Sequence, residues 1–203
     1  MLPKLILAAA IIFILTSALF FSTKHKNVVE STDLIVFFGN SITAGLGAEP
    51  GEDFPSLIGK TLNVPIINAG ISGNTTHDAL LRIDNDVISK NPSVVVVELG
   101  GNDLLEQVDT RETTKNLDLI LSKIKPTGAK IVILGTKFYL FQEEYEADWT
   151  SLAKKYNAAF VPDILDGVIT DQSLKSDDIH PNAKGYQKIA EKLIPIIAPL
   201  TQK

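Results

Sequence analysis

Ser41 stands on a loop that directly follows an apolar run, and it is the first residue to consider for chemistry. The run covers residues 34–38 and leads into Gly39-Asn40-Ser41-Ile42-Thr43. An apolar run of this length, bounded by turn residues, is typical of a buried strand. Open α/β sheets bind their ligands beyond the carboxyl ends of such strands. The position therefore makes Ser41 a candidate nucleophile.

Two further apolar runs end in loops that carry hydrogen-bond donors. Gly73 follows the run at 64–69, and Asn102 follows the run at 94–99, within Gly100-Gly101-Asn102-Asp103. If the runs form neighbouring parallel strands, all these loops open on the same edge of the sheet. A serine beside a backbone N–H and a side-chain amide is what an oxyanion hole requires. Gly73 and Asn102 are therefore candidate oxyanion donors.

A nucleophilic serine needs a base, and the chain has only three histidines. His25 lies in the basic segment after the N-terminal apolar block, and His77 opens a helix, where we expect a solvated or capping role. His180 lies immediately before the last helix, and Pro181 disfavours a helical conformation at His180. An extended segment therefore presents the His180 ring, and His180 is the candidate base.

The base must in turn be oriented by a third group. Asp177 lies three residues before His180, at a spacing that lets its carboxylate fold back onto the imidazole ring. This contact selects the tautomer of the ring and stabilises the imidazolium that forms during attack. Asp178 is the adjacent alternative, but the spacing favours Asp177.

Composition and missing motifs exclude several other functions. The chain has 203 residues, a formal net charge of −5 and no cysteine, which excludes disulfides, thiolate chemistry and zinc-finger sites. It has only two arginines and no lysine cluster, so nucleic acid is not an expected partner. The sequence contains no zinc-protease motif, no phosphate-binding loop and no dinucleotide-binding motif, so no metal or cofactor is predicted. The serine loop also lacks the second glycine of the G-x-S-x-G motif of ordinary α/β-hydrolases.

The N-terminus is typical of an export signal. Lys4 precedes an uncharged apolar block at 5–21, and Lys24-His25-Lys26 follows it. The block is also at the lower limit of length for a membrane span, so a cleaved signal and a retained inner-membrane anchor both remain open. We predict a signal or anchor at 1–23, a linker at 24–33 and one domain at 34–203, in an exported, periplasmic or extracytoplasmic protein.

Strand-like and helix-like segments alternate along the rest of the chain. This pattern predicts an α/β fold with a parallel sheet and helices on both faces. Four consecutive valines in the third strand suit a strand that is covered on both sides. A less regular stretch falls at 138–141. The predicted strands are 34–38, 64–69, 94–99, 130–134 and 159–161, and the predicted helices are 53–62, 76–89, 110–125, 144–156 and one from about 182.

Taken together, these motifs resemble the four sequence blocks of the SGNH, or GDSL-type, hydrolases. The blocks are Gly39-Asn40-Ser41-Ile42-Thr43, Gly73, Gly100-Gly101-Asn102-Asp103 and Asp177-Asp178-Ile179-His180, and the resemblance covers about 34–195. The sequence is most similar to the small exported bacterial esterases that act as lysophospholipases, thioesterases and arylesterases. The resemblance implies a flavodoxin-like three-layer α/β/α sandwich with a five-stranded parallel sheet.

The resemblance also implies a role for each site residue. Ser41 is the nucleophile and donates its backbone N–H to the oxyanion, together with the Gly73 N–H and the Asn102 side chain. His180 is the base and then the acid, and Asp177 orients it. One residue departs from the family pattern, because Asn40 stands where the family usually has aspartate. We expect activity to survive this change, with an altered pH profile or loop rigidity.

These inferences lead to an exported serine esterase that cleaves carboxylic esters or thioesters through an acyl-enzyme on Ser41. Its expected partner is a small acyl ester or a lysophospholipid, with possible membrane association through residues 5–21. Two alternatives stay open. A carbohydrate O-deacetylase would use the same catalytic residues, and a membrane-tethered binding module would have lost activity through Asn40.

Overall fold

The computed structural model describes residues 33–136 and 143–201. The predicted signal or anchor at 1–23, most of the predicted linker and the irregular stretch at 138–141 lie outside these residues. Within the described ranges, no helix combines the length and the apolar character needed to cross a membrane.

Five parallel strands form one sheet in the order β2-β1-β3-β4-β5. The chain starts in the middle of the sheet, steps to one edge and then returns across β1 to the other, which is the flavodoxin-like order. Each strand occurs where the sequence predicts one, within two residues at either end. The strands are β1 (Ile35–Gly39), β2 (Ile66–Gly70), β3 (Val94–Glu98), β4 (Lys130–Leu134) and β5 (Ala159–Val161).

The five predicted helices are present, and two short helices accompany them. The short ones are too brief to show a hydrophobic period, so the sequence pattern does not predict them. The predicted helix at 76–89 ends at Asp86 and continues as a single 3₁₀ turn at Ile88–Lys90. In chain order, the helices are α1 (Ser41–Ala44), α2 (Phe54–Leu62), α3 (Thr76–Asp86), α4 (Gly101–Leu105), α5 (Thr110–Ile124), α6 (Glu143–Tyr156) and α7 (Ala183–Thr201).

Side-chain caps explain where several helices begin. Asp53 caps α2 by accepting from the Ser56 N–H, and Asp109 caps α5. Thr75 and Asp78 form a reciprocal capping box at the start of α3. Such caps satisfy backbone donors that have no acceptor within the helix. They fix the points at which the loops after β1, β2 and β3 rejoin the helices.

Alternating strand residues build a core on each face of the sheet, as the period of two in a strand requires. On one face, Phe37 and Val96 pack with residues of α2 and α7, including Phe54 and Tyr186. On the other face, Phe38, Val97 and their neighbours pack against α3, α5 and α6. The predicted three-layer α/β/α fold is therefore confirmed.

Replacement of Leu121 by alanine tests the contribution of the second core. Leu121 on α5 is fully buried, so Leu121→Ala leaves a cavity and should lower the free energy of unfolding by about 2–5 kcal/mol. Leu119→Ala is a matched control on the same helix, because Leu119 is 41% exposed. The control should change stability by no more than about 0.5 kcal/mol in urea denaturation. Equal effects of the two substitutions would contradict this assignment of the core.

Candidate active site

Ser41 occupies the first turn of α1, directly beyond the end of β1. Asn40 caps this turn, because its side-chain oxygen accepts the Ile42 N–H at 2.9 Å. The turn ends at Gly45, whose φ of 88° lies in the left-handed region that favours glycine. Ser41 is only 8% exposed, so most of the residue is covered by its neighbours.

A chain of hydrogen bonds joins Ser41, His180 and Asp177. The Ser41 Oγ lies 3.0 Å from Nε2 of His180. The Nδ1 of the same ring lies 2.8 Å from Oδ2 and 3.0 Å from Oδ1 of Asp177. These are ordinary hydrogen-bond distances. The structure thus brings together side chains that are 139 residues apart in sequence.

The Asp177 carboxylate is held by its own loop. It accepts the backbone N–H groups of Ile179 at 2.9 Å and of His180 at 2.8 Å. Partial burial acts to raise the pKa of Asp177, but these N–H groups and the His180 ring outweigh it and lower the pKa to about 2. Asp177 is therefore an anion at neutral pH. The ring contacts Asp177 rather than the adjacent Asp178, as the spacing predicts.

The loop that carries His180 closes on itself before α7 begins. The Ser176 N–H donates to the His180 carbonyl at 3.0 Å. The Asn182 side chain donates to the carbonyl groups of Ser173 and Lys175 at 2.9 and 3.0 Å. These contacts fix the backbone on both sides of the imidazole ring. The sequence placed Asn182 at the start of the last helix but gave its side chain no role.

The two other predicted site residues lie on neighbouring loops. Gly73 has a φ of 81°, which explains glycine at this position. Asn102 lies in the first turn of α4, and its side-chain amide donates to the Asn74 carbonyl at 2.9 Å. An amide nitrogen has two hydrogens, so this contact orients the group and leaves one hydrogen for another acceptor. The Ile71 N–H, in the Gly73 loop, donates to the Gly39 carbonyl at 3.0 Å.

Arg82 joins two of these loops, and the sequence analysis assigned it no role. Its guanidinium donates to the carbonyl groups of Gly39 at 2.9 Å and Ala69 at 2.8 Å, at the ends of β1 and β2. It also donates to the Asn74 side chain at 2.6 Å and lies 4.3 Å from the centre of the Phe38 ring. The rarity of arginine in this chain, which has only two, was the available signal. The contacts of Arg82 depend on the tertiary fold, so the sequence does not predict them.

Glu98 is the second residue that the sequence analysis missed. It ends β3 and is fully buried, and it accepts hydrogen bonds from Asn40 and Thr43 on the serine turn. Burial raises the pKa of Glu98 to about 7, although the hydrogen bonds from Thr43 and Asn40 act to lower it. A carboxylate directly after four buried valines was the available signal.

Several other features lie outside this hydrogen-bonded chain. His77 is exposed in the first turn of α3, where Thr75 supplies the cap, so the solvated position expected for it is confirmed. Within 33–136 and 143–201, no three His, Cys, Asp or Glu side chains are grouped closely enough to hold a metal ion.

A groove of about 550 Å³ lies between the loop after Ser41 and the loop around His180. Its lining is largely polar and charged, and includes Glu49, Glu52 and Lys184. The groove reaches Asn182, two residues beyond His180. The groove is lined by residues that follow Ser41 and His180 in sequence, and its polar character suits a polar part of a substrate.

Comparison with known proteins identifies the family. Residues 37–188 match the GDSL-like Lipase/Acylhydrolase family, a range that contains every predicted site residue. The chain is 30% identical to Esterase TesA of Pseudomonas aeruginosa over 186 residues, covering 86% of this chain and 92% of that protein. It is 27% identical to Thioesterase 1/protease 1/lysophospholipase L1 of Escherichia coli strain K12, covering 84% and 86% of the two chains.

Further similarities extend the comparison to sugar esterases and to solved structures. The chain is 25% identical to Acetylxylan esterase of Geobacillus stearothermophilus, covering 82% of this chain and 94% of that protein. The crystal structure of TesA superposes with a TM-score of 0.78 at 30% identity, covering 82% of this chain and 99% of that one. The resemblance inferred from the four sequence blocks is confirmed. The chain belongs to the GDSL-like lipase/acylhydrolase family and is a hydrolase of ester bonds.

Proposed function

We propose that the protein is an exported serine esterase that hydrolyses carboxylic esters or thioesters through an acyl-enzyme on Ser41. The observation that carries this proposal is the hydrogen-bonded chain from Ser41 Oγ to His180 Nε2 at 3.0 Å and from His180 Nδ1 to Asp177 Oδ2 at 2.8 Å. A nucleophile, a base and an orienting anion in this arrangement are what serine-dependent acyl transfer requires.

The route of the proton during the reaction follows from the charge of Asp177. Since this carboxylate is an anion, it favours the imidazole tautomer with the proton on Nδ1. Nε2 then accepts the proton of the Ser41 hydroxyl as Oγ bonds to the acyl carbon. His180 next gives that proton to the departing alcohol or thiol, which leaves an acyl-enzyme. A water molecule, deprotonated by His180, attacks the acyl-enzyme and releases the acid and free Ser41.

The negative charge on the tetrahedral oxygen needs donors that are in place before the reaction. We assign this role to the backbone N–H groups of Ser41 and Gly73 and to the side-chain amide of Asn102. The Ser41 N–H lies in the first turn of a helix, where N–H groups have no acceptor within the helix. The contact of Asn102 with Asn74 holds the amide in a fixed orientation, which lowers the cost of reorganisation during the reaction.

Exposed apolar side chains near the site favour a substrate with a long acyl chain, such as a lysophospholipid. Leu46, Ile71 and Leu105 are each 45–52% exposed, and they lie on the loops that carry Ser41, Gly73 and Asn102. Exposed apolar groups on the loops of one site are typical of a surface that contacts apolar ligands. The groove lined by Glu49, Glu52 and Lys184 would receive the polar alcohol portion.

The alternative is a carbohydrate O-deacetylase with the same catalytic residues. Two observations favour it: the similarity to an acetylxylan esterase and the polar lining of the groove. A binding module without activity is less well supported, because serine, histidine and aspartate are all present at hydrogen-bond distance. The proposal of export to the periplasm or another extracytoplasmic compartment rests on residues 1–23 of the sequence.

Replacement of Ser41 tests the acyl-enzyme. Ser41→Ala should lose labelling by an active-site fluorophosphonate probe and nearly all hydrolysis of p-nitrophenyl butyrate, because no nucleophilic oxygen remains. Ser122→Ala is the matched control, since Ser122 is exposed and its hydroxyl donates to the Leu119 carbonyl of its own helix. Hydrolysis by Ser41→Ala at the rate of the unmodified protein would contradict the mechanism.

Replacement of Asn102 tests the oxyanion donors. Asn102→Ala should lower kcat by about 10²–10³ with a smaller change in KM, because the lost donor acts on charge that develops in the transition state. The probe should still label Ser41, although more slowly. Asn85→Ala is the control, since Asn85 is exposed on α3. An unchanged kcat for Asn102→Ala would remove this residue from the oxyanion hole.

An acyl-chain series separates the lipid esterase from the deacetylase. We expect kcat/KM to rise from p-nitrophenyl acetate through butyrate to octanoate, and lysophosphatidylcholine to be hydrolysed. Leu105→Ala should lower kcat/KM for octanoate by about fivefold while sparing acetate, because only the longer chain buries area against this side chain. Leu119→Ala, exposed on α5, should spare both. A preference for acetate together with release of acetate from acetylxylan would favour the deacetylase.

A further inference from the structure

A buried carboxylate that the catalytic steps do not use lies next to the serine turn. Glu98 is fully buried at the end of β3. An isolated buried charge is costly, so a buried carboxylate requires hydrogen-bond donors. Its identified donors are all on the turn that carries Ser41, and none of them is a cation.

The contacts of Glu98 hold the turn on both sides of the serine. Asn40 donates from its side-chain amide to Oε1 at 3.0 Å and from its backbone N–H to Oε2 at 3.4 Å. The Thr43 hydroxyl donates to Oε2 at 3.0 Å. Gly39 permits this close approach, since a Cβ there would collide with Thr43 and with the Glu98 carbonyl.

The orientation of Asn40 is fixed by its second contact. Its side-chain oxygen accepts the Ile42 N–H at 2.9 Å, so its amide nitrogen must face Glu98. Aspartate at position 40 could also accept from Ile42, but it would place a second carboxylate against Glu98. One member of such a pair must carry a proton. Asparagine donates to Glu98 whether or not Glu98 is ionised.

We propose that Glu98 is a positioning residue for the nucleophile, and that Asn40 is matched to it as a permanent donor in place of a shared proton. The carboxylate fixes the serine turn to the end of β3 through Asn40 and Thr43. The asparagine uncouples that contact from pH. This inference rests on the proposed role of Ser41 as nucleophile.

The charged groups near Glu98 favour a neutral hydrogen-bond donor at position 40. Tyr186 of α7 lies on the same face of the sheet, and burial followed by the charges of Glu98, Asp53 and Asp177 raises the pKa of its hydroxyl. Glu98 therefore acts on this neighbouring hydroxyl as a negative charge. Arg82, the cation near the end of β1, packs on Phe38 in the core of the opposite face. A second carboxylate at position 40 would thus lie against Glu98 on the side of the sheet opposite to the core in which Arg82 packs.

Substitutions that exchange the amide and carboxylate groups between positions 40 and 98 provide the test. Glu98→Gln replaces one of the two acceptor oxygens by an N–H donor, so either the Asn40 side-chain amide or the Asn40 backbone N–H then faces a donor, and kcat should fall about tenfold with KM nearly unchanged. In Asn40→Asp, two carboxylates face each other, so the ratio of its kcat to that of the unmodified protein should fall as pH rises from 5.5 to 8.5. The double variant restores one donor and one acceptor. Its kcat should return to within about threefold of the original, without the added pH dependence.

Thermal unfolding of the same four proteins gives a readout that does not depend on activity. The losses in Tm from the single substitutions should exceed the loss in the double variant. Because the pKa of Glu98 is raised in the folded state, its favourable contribution is complete below about 4.5 and is lost as pH rises through about 7. The stability of the unmodified protein relative to Glu98→Gln should therefore decline over that range.

Further variants keep the proposal falsifiable if a single substitution prevents folding. Thr43→Val removes one donor at constant shape and charge and should lower kcat several-fold, whereas Thr43→Ser should retain activity. Glu112→Gln, at an exposed site on α5, should match the unmodified protein in every measurement. Additive effects of the Asn40 and Glu98 substitutions, or Thr43→Val with unchanged kcat, would overturn the proposal. If hydrolysis survives in Ser41→Ala, the proposed function fails instead, while coupling in Tm would still report the contact.

Discussion

In-register pairing of the parallel strands is the constraint on which the candidate site depends. Gly39 at the end of β1 pairs with Gly70 in β2 and with Glu98 in β3, and Glu98 pairs with Leu134 in β4. Four strands thus end at one level, and the loops that follow them open on one edge. A slip of one residue would turn every side chain of a strand to the opposite face and bury the wrong set. The two cores that fix the register therefore also fix the distances between the loops.

Polar groups on both faces of the sheet then secure the serine turn to this edge. The Glu98 carboxylate accepts from Asn40 and Thr43, while the Arg82 guanidinium donates to the Gly39 carbonyl one residue before the turn. Each group satisfies backbone or side-chain atoms that would otherwise be buried without partners. Their positions explain why a short helix forms at Ser41 despite its lack of a hydrophobic period. Local propensity contributes little here, and tertiary contacts determine the conformation.

The sequence predicted those parts of the molecule that follow from local pattern. Hydrophobic periods located the five strands and the main helices, and the loops after the strands pointed to Ser41, Gly73 and Asn102. The spacing to His180 distinguished Asp177 from its neighbour, because a carboxylate three residues away can reach the ring. Glu98 and Arg82 were not predicted, because their partners lie far away in sequence. The four valines before Glu98 could have indicated its buried position, but they could not indicate its contacts. The two short helices were missed because they are too brief to show a hydrophobic period.

The proposed nucleophile and the proposed base are held in different ways, which shapes how the candidate site can respond to substrate. Ser41 is fixed to the sheet by buried groups. His180 stands on a loop that is stabilised mainly by its own hydrogen bonds, and the Asp177 side chain is 53% exposed. A carboxylate with half of its side chain in solvent contributes little to holding the fold, so the value of Asp177 lies in orienting the ring. Elements with few buried contacts are the ones that open locally at low cost. Adjustment to substrates of different size is therefore expected on the His180 side of the site, against a fixed Ser41.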